Sequence, residues 1–210
     1  MKSTHSHVNL SLDFGAANPI INNTQSLSTG ITSLDAMLPQ GGWPIGAITE
    51  IFCPENIAQT APLVWPALAK ISQDKRWLAL IAPPHAPSTQ QLSANGVDLN
   101  HVLMIHPHTT SNGLWAVEQA LRAGTCAAVL SWVTNADHHA LQDLRGAALA
   151  GNCCGLIFRP DWAQHQPSSA SLRLSISADQ GGLYVELLST RINKTKSAIF
   201  IAAEQAQKTG

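Results

Sequence analysis

The sequence predicts a three-layer α/β domain with a mostly parallel central sheet, helices on both faces and a C-terminal antiparallel hairpin at the sheet edge. Strand-like and helix-like segments alternate four times, and such alternation is typical of parallel strands joined by helical crossovers. Near the C-terminus, two alternating apolar runs flank a Gly-Gly pair, which is the pattern of a β-hairpin. The length of 210 residues fits one domain with an extension and excludes a large multidomain enzyme.

Apolar runs bounded by turn residues define the predicted strands, and helical periodicity defines the helices between them. The strands of the parallel part span residues 47–52, 77–82, 102–105, 127–132 and 155–158. A short first helix spans 30–38, and the crossover helices span 60–72, 89–95, 114–122 and 138–150. Pro66 lies inside the first crossover helix, where it should remove a backbone hydrogen bond or kink the helix. Strands over 172–176, 183–188 and 199–201 complete the sheet.

The chain divides into a leader, one domain and a tail. Residues 1–28 are rich in Ser, Asn, Thr and His and predict a flexible leader. The single predicted domain covers residues 29–204, and residues 205–210 form the tail. Because the leader has no apolar core like that of a signal peptide, and no apolar run approaches the ~18 residues of a membrane span, we expect a cytoplasmic protein without membrane contact.

Composition limits the classes of partner. The chain is 45% hydrophobic and 12% charged. Few charged residues are therefore available for its surface, and such a surface favours protein partners. A formal net charge of −1 lacks the basic excess that bulk binding of nucleic acid needs. Four cysteines are too few and too embedded in apolar sequence for a disulfide framework, so they indicate a reducing compartment.

The entry to the domain resembles the RecA-type recombinase core. The resemblance rests on STGITSLD at 28–35 and GGWPIGAITEI at 41–51, and the strand–helix order extends it over about residues 28–200. It implies a RecA-like, P-loop NTPase-like domain. The segments LPQGGWPIGAITEI, RWLALIAPPHAP and LWAVEQALRAG are similar to the ImuA family. Residues of about 60–160 are also similar to the SulA family, but the long entry segment and the C-terminal hairpin favour ImuA.

The window that matches the recombinase phosphate loop has lost the residues that hold a nucleotide. A working loop needs glycines, a lysine and a hydroxyl, whereas this window reads Cys53, Pro54, Glu55, Asn56, Ile57, Ala58, Gln59 and Thr60. Cys53 and Ala58 replace the two glycines, Gln59 replaces the lysine, and only Thr60 fits. No Lys or Arg lies between Lys2 and Lys70, so a triphosphate would find no local cation.

Further positions that the recombinase resemblance makes functional are also changed. Pro84 occupies the place of the glutamate that orients water, and the fourth strand ends at Trp132 without the metal-holding aspartate. Arg159 stands where a glutamine would couple nucleotide to DNA. We therefore predict a protein that is not an enzyme and that uses no cofactor and no metal.

Three places are candidates for contacts with a partner. Trp162, in the loop after the fifth strand, could stack on a base or cover the sheet edge. A basic cluster could contact DNA or an acidic partner, or form a solvated loop; it consists of Arg191, Lys194 and Lys196. The leader positions Asn9, Leu12 and Phe14 resemble the peptide that docks on the sliding clamp, with a leader strand on the core as the alternative.

The tryptophans divide into two predicted sets. Trp77, Trp115 and Trp132 should be core or half-buried residues because they lie in strands or on a helix face. Trp43 and Trp65 flank the degenerate loop, where they should fill the space that a nucleotide would otherwise occupy.

The ImuA resemblance implies a non-catalytic adaptor of the SOS mutasome. Such an adaptor would support error-prone translesion synthesis by contacting an ImuB-type Y-family polymerase homologue and the mutasome polymerase. The alternative is a SulA-like inhibitor of cell division that binds FtsZ. Arg76 and Trp77 match an Arg-Trp pair near the FtsZ-facing surface of SulA, although Gln91 and His101 replace its later aromatic and basic residues. A RecA relative with weak nucleotide or DNA binding is the third reading, and a small homo-oligomer stays open.

Overall fold

The computed structural model describes residues 25–54, 63–132, 134–188 and 197–203. The strands in this part of the chain are β1 (Ser26–Leu27), β2 (Trp43–Pro44), β3 (Ala47–Cys53), β4 (Trp77–Ile81), β5 (Val102–Ile105), β6 (Cys126–Ser131), β7 (Cys154–Pro160), β8 (Leu172–Asp179), β9 (Gly182–Leu188) and β10 (Ser197–Ala202). The helices are α1 (Thr32–Met37), α2 (Trp65–Ser72), α3 (Thr89–Ala94), α4 (Thr110–Arg122) and α5 (His138–Gly151). Short 3-10 helices span Leu99–His101 and Asp161–His165.

Eight of these strands form one sheet in the order β10-β9-β8-β3-β7-β6-β4-β5. The strands from β8 to β5 in this order are parallel, and β9 and β10 continue the sheet antiparallel beyond β8. β1 and β2 form a separate antiparallel pair. The prediction of an α/β fold with a mostly parallel large sheet is confirmed.

Helices cover the two faces of the sheet and create two hydrophobic cores. One core contains Leu34, Leu68 and Leu92, so α1, α2 and α3 lie on this face. The other contains Val117 and Leu144, so α4 and α5 lie on the opposite face. Because side chains alternate along each strand, every central strand contributes to both cores.

Two helices begin at residues other than the predicted ones. The helix predicted from residue 60 begins at Trp65, so Pro66 lies in its first turn. The expected kink at Pro66 is therefore wrong, since a proline in the first turn has no helical hydrogen bond to lose. In contrast, α4 begins four residues earlier than predicted, after Thr109, whose Oγ1 accepts from the N–H of Asn112 at 3.2 Å.

The exposure of the tryptophans departs from the prediction. Trp77 and Trp115 are 41% and 65% exposed, so their expected burial is wrong. Trp77 lies on the penultimate strand at the sheet edge, and Trp115 lies on the outer side of α4, positions that strand or helix type alone does not reveal. Trp132 is half-buried and stacks on Phe158 with ring centroids 4.8 Å apart.

Several predictions lie outside the described residues. These are the leader with its Asn9, Leu12 and Phe14 peptide, the loop positions from Glu55 to Thr60, the tail, and the cluster of Arg191, Lys194 and Lys196. They stay predictions. Among the residues that are described, none of the helices combines the length and the hydrophobicity that crossing a bilayer requires.

Candidate protein-binding surface

An exposed apolar patch lies where β4 and β5 begin. Trp77, Leu99 and Leu103 are 41%, 40% and 43% exposed, and the ring of His101 meets the Trp77 ring edge-on at a centroid distance of 5.7 Å. Leu103 pairs with Ala79, two residues after Trp77 on the same face of the sheet. We call Trp77, Leu99, His101 and Leu103 the Trp77 patch. Exposed apolar patches mark sites of protein contact.

Asp98 holds the 3-10 helix that carries two members of the patch. Its Oδ1 accepts from the backbone N–H of Asn100 at 3.0 Å, and its Oδ2 lies 3.3 Å from His101 Nδ1. The Asn100 N–H, followed by the side chains of His101 and Asn100, lowers the pKa of the Asp98 carboxyl below its ordinary value, although desolvation opposes the shift. An ionised Asp98 thus fixes the helix start and the His101 ring against Trp77.

Arg76 anchors the other side of the patch. Its Nη2 donates to three backbone carbonyls, those of Cys126 at 2.6 Å and of Gly124 and Asn152 at 3.3 Å each. Gly124 follows α4 and Asn152 caps α5, so one guanidinium satisfies carbonyls beyond two helix C-termini, where a cation is also favoured by the helix dipoles. Because these bonds occupy Arg76 within the fold, the structure gives it a positioning role behind Trp77.

A group of charged side chains is buried at the centre of the sheet. Glu50 on β3 is 0% exposed, and its two oxygens accept from Arg159 Nη1 at 2.6 Å and Arg173 Nε at 2.9 Å. Arg159 also donates to the Ala136 carbonyl and to Gln166 Oε1. These bonds join β3, β7 and β8 to the loop after β7, so the group stabilises the fold and is closed to a partner.

The carboxyl end of β3 carries a buried thiol, at the position predicted from the sequence to match the first glycine of a phosphate loop. Cys53 is 1% exposed, and burial, followed by the charge of Asp161, raises the pKa of its thiol to about 12. Its Sγ lies 3.9 Å from the Arg159 carbonyl oxygen, to which it donates. A neutral thiol with a Cβ provides neither the backbone freedom nor the charge that a phosphate needs.

The remaining predicted residues lie in different parts of the fold. Trp162 is 55% exposed on the 3-10 helix after β7, where the parallel strands end. Trp77 is the first residue of β4, so it lies where the parallel strands begin. Trp43 is fully buried, and the half-buried Trp65 packs on the same core. Gln91 completes a capping box with Ser88 at the start of α3, so its contacts are those of a helix cap.

The Glu50 group and most of the Trp77 patch were not predicted from the sequence. From the sequence, Arg159 was interpreted only as a replacement for the recombinase glutamine, and Glu50 was given no role. A usable signal was present, because a charged residue inside an otherwise apolar strand needs a buried partner of opposite charge. No comparable feature of the sequence indicates that Leu99 and Leu103 are exposed, because both belong to an ordinary apolar segment.

Comparisons with known proteins identify one family. The family model described as cell division inhibitor SulA matches residues 46–155, which is 110 of the 210 residues. The curated cell division inhibitor SulA of Serratia marcescens is 30% identical over 115 residues, covering 55% of this chain and 68% of that protein. The Edwardsiella piscicida SulA is 34% identical over 98 residues, which is 47% of this chain and 58% of that one.

A solved structure matches the same part of the chain. The crystal structure of SulA from Pseudomonas aeruginosa is 28% identical, with a TM-score of 0.45, and the match covers 53% of this chain and 97% of that one. The family model and the curated relatives overturn the predicted ImuA resemblance. The mutasome adaptor role, translesion synthesis and an ImuB-type partner, which depended on that resemblance, are therefore wrong.

Proposed function

The chain belongs to the SulA family, and on that premise we propose that it inhibits cell division during the SOS response by binding FtsZ without catalysis. The Trp77 patch is the binding surface in this proposal. It lies within residues 46–155, the segment that matches the family, and exposes a tryptophan beside two leucines. That exposed, supported tryptophan is the observation that carries the proposal.

The patch has the composition expected at the centre of a protein interface. Tryptophan is among the residues whose truncation costs most in such interfaces, especially when apolar neighbours exclude water around it. Leu103 on the neighbouring strand β5 and Leu99 on the 3-10 helix before it are both exposed, while His101 holds one edge of the Trp77 ring. Arg76 fixes the backbone behind Trp77. The Trp77 ring should therefore lose little conformational entropy when it binds.

Assembly of purified FtsZ tests the proposal. We expect a stoichiometric amount of the wild-type protein to abolish sedimentable polymer and the associated GTP hydrolysis. Trp77→Ala should weaken binding to FtsZ by about 30-fold, which corresponds to about 2 kcal/mol for an interface tryptophan. Trp162→Ala is the matched control. Trp162 is also an exposed tryptophan, but it lies where the parallel strands end, whereas Trp77 lies where they begin. Unaffected FtsZ assembly, or equal losses for both variants, would refute this function for the patch.

The finer fold assignment also belongs to this proposal. We infer a RecA-type core whose phosphate loop no longer binds nucleotide. The parallel strand–helix order supports it, as do the buried Cys53 at the first glycine position and the absence of Lys and Arg between Lys2 and Lys70. Calorimetry with ATP and Mg²⁺ should detect no binding. Micromolar binding that disappears in Thr60→Ala would show that the loop still works.

A further inference from the structure

Among the residues that the structure describes, β10 is the last strand of the large sheet, and its outer edge lacks the usual protection. Its residues Ser197–Ala202 read SAIFIA and contain no charge and no proline. Natural edge strands commonly carry charges, prolines or bulges that prevent further pairing. No strand pairs with the outer side of β10 within the described part of the chain. Within these described ranges, the edge therefore has both the unpaired backbone groups and the apolar side chains that another strand would need.

The register with β9 identifies which backbone groups are free. Ala203 donates from its N–H to the Gly181 carbonyl at 2.8 Å, so this pair is hydrogen-bonded across the two strands. Hydrogen-bonded pairs alternate with non-bonded pairs along an antiparallel ladder. It follows that the N–H and C=O groups of Ala198, Phe200 and Ala202 point away from β9, towards the open edge.

These three residues form a self-complementary set. In an antiparallel pairing of two copies of β10 centred on Phe200, Phe200 would face Phe200 of the other copy, and Ala198 would face Ala202 on each side. Each of these three pairs brings outward N–H groups opposite outward C=O groups, so the pairing closes six backbone hydrogen bonds. No like charges meet across the axis, because the strand has none.

The side chains fit the same arrangement on both faces. Phe200 is 46% exposed, and its ring tip lies over Gly182, where a Cβ would approach it to 2.8 Å. Because each ring leans over its own strand β9, the two Phe200 Cβ atoms would face each other across the two-fold axis between small alanines. On the other face, Ile199 would face Ile201 of the second copy, which extends the apolar core across the junction.

We propose that two copies of this chain associate through β10, antiparallel and centred on Phe200, to form one continuous sheet. β10 lies beyond residues 46–155, the segment that matches the SulA family. The proposal stands apart from FtsZ binding, because the Trp77 patch lies near the other end of the sheet, on β4 and β5.

The mass of the full-length protein in solution tests the association. Sedimentation should give twice the 22.3 kDa chain mass at high concentration, with dissociation over a roughly hundred-fold dilution. Ala198→Pro should give a monomer, because it removes an outward N–H without removing a bond to β9. Phe200→Lys should also give a monomer, because it places like charges on the axis. Tyr184→Lys is the matched control: Tyr184 is 45% exposed on the same face, but on the inner strand β9, and this variant should stay dimeric.

Disulfide trapping tests the register. Opposite residues of a hydrogen-bonded pair have Cα atoms about 5.5 Å apart, within the range for a disulfide. Phe200→Cys should therefore give a covalent dimer on oxidation. Ala198→Cys should not, because the two positions would be four residues out of register, about 13 Å apart. A monomer at every concentration, a dimer that survives Ala198→Pro, or equal trapping of both cysteine variants would overturn the proposal.

Discussion

Arg159 donates from Nη1 to Oε1 of Glu50 at 2.6 Å, and neither side chain is more than 1% exposed. Glu50 lies inside the segment that matches the SulA family, whereas Arg159 and Arg173 lie beyond its end. The end of β7 and the strand β8, both beyond the matched segment, thus supply the two cations that compensate a buried carboxylate in the shared core. These strands are consequently an integral part of the domain.

Removal of Arg159 should strongly destabilise the fold. Arg159→Met leaves the buried carboxylate of Glu50 with Arg173 alone, and breaking a buried ion pair from one side typically costs about 3–5 kcal/mol. Urea denaturation should show this loss in the free energy of unfolding. Arg145→Met is the control, because Arg145 is exposed on α5 and its replacement should change stability by less than about 0.5 kcal/mol. Equal stabilities of the two variants would contradict the role given to the ion pair.

Arg76 should act on FtsZ binding through Trp77. Arg76→Ala leaves three carbonyls without their guanidinium donor and should lower the free energy of unfolding by about 1–3 kcal/mol. The intrinsic fluorescence should shift to the red as the environment of Trp77 loosens.

Arg122→Ala provides the comparison for Arg76. The Arg122 side chain is 50% exposed and pairs with Glu118 four residues earlier, an arrangement worth only about 0.3–0.5 kcal/mol. If Arg76→Ala proves as mild as Arg122→Ala and leaves the fluorescence unchanged, Arg76 does not position the patch.

Two glycines of α5 should respond in opposite directions to alanine. A Cβ at Gly151 would overlap the carbonyl oxygen of Leu121 at the contact between α4 and α5, so Gly151→Ala should cost about 1–3 kcal/mol. Gly146 has nothing within 4 Å of the Cβ position, and Gly146→Ala should stabilise the helix by about 0.5–1 kcal/mol. Thermal melting of the two variants measures the difference, and a shift of the same sign in both would contradict the close helix contact.

The fold was predictable because its signals are local. Apolar runs such as Val102–Ile105 end at turn residues, and helix caps such as Asp137 stand directly before the helices that they begin. The site was less predictable because its contacts join distant residues. Glu50 meets partners 109 and 123 positions away, and the exposure of Trp77 depends on where β4 lies in the sheet order, which no single segment encodes.

The family assignment failed for a related reason. The resemblance to ImuA gave weight to the entry segment before residue 46 and to the C-terminal hairpin, both of which lie outside the segment that matches the SulA family. The entry segment forms α1 and the separate β1–β2 pair, and the C-terminal hairpin extends the large sheet. The matched segment carries the Trp77 patch. The match over residues 46–155 was therefore better evidence for the family than the similarity of the flanking segments.

The capping role of Asp98 gives the patch a defined pH dependence. The N–H of Asn100, and then the side chains of His101 and Asn100, hold the pKa of Asp98 below its ordinary value of 3.8. Because the folded-state pKa is lowered, the stabilising contribution is fully present above pH 3.8 and is lost as the pH falls through the folded pKa. Carboxyl NMR titration should give a midpoint for Asp98 below 3.8 in the folded protein and near 3.8 in urea. Asp98→Asn should abolish the titration and loosen the 3-10 helix, whereas a folded midpoint at or above 3.8 would contradict the proposed cap.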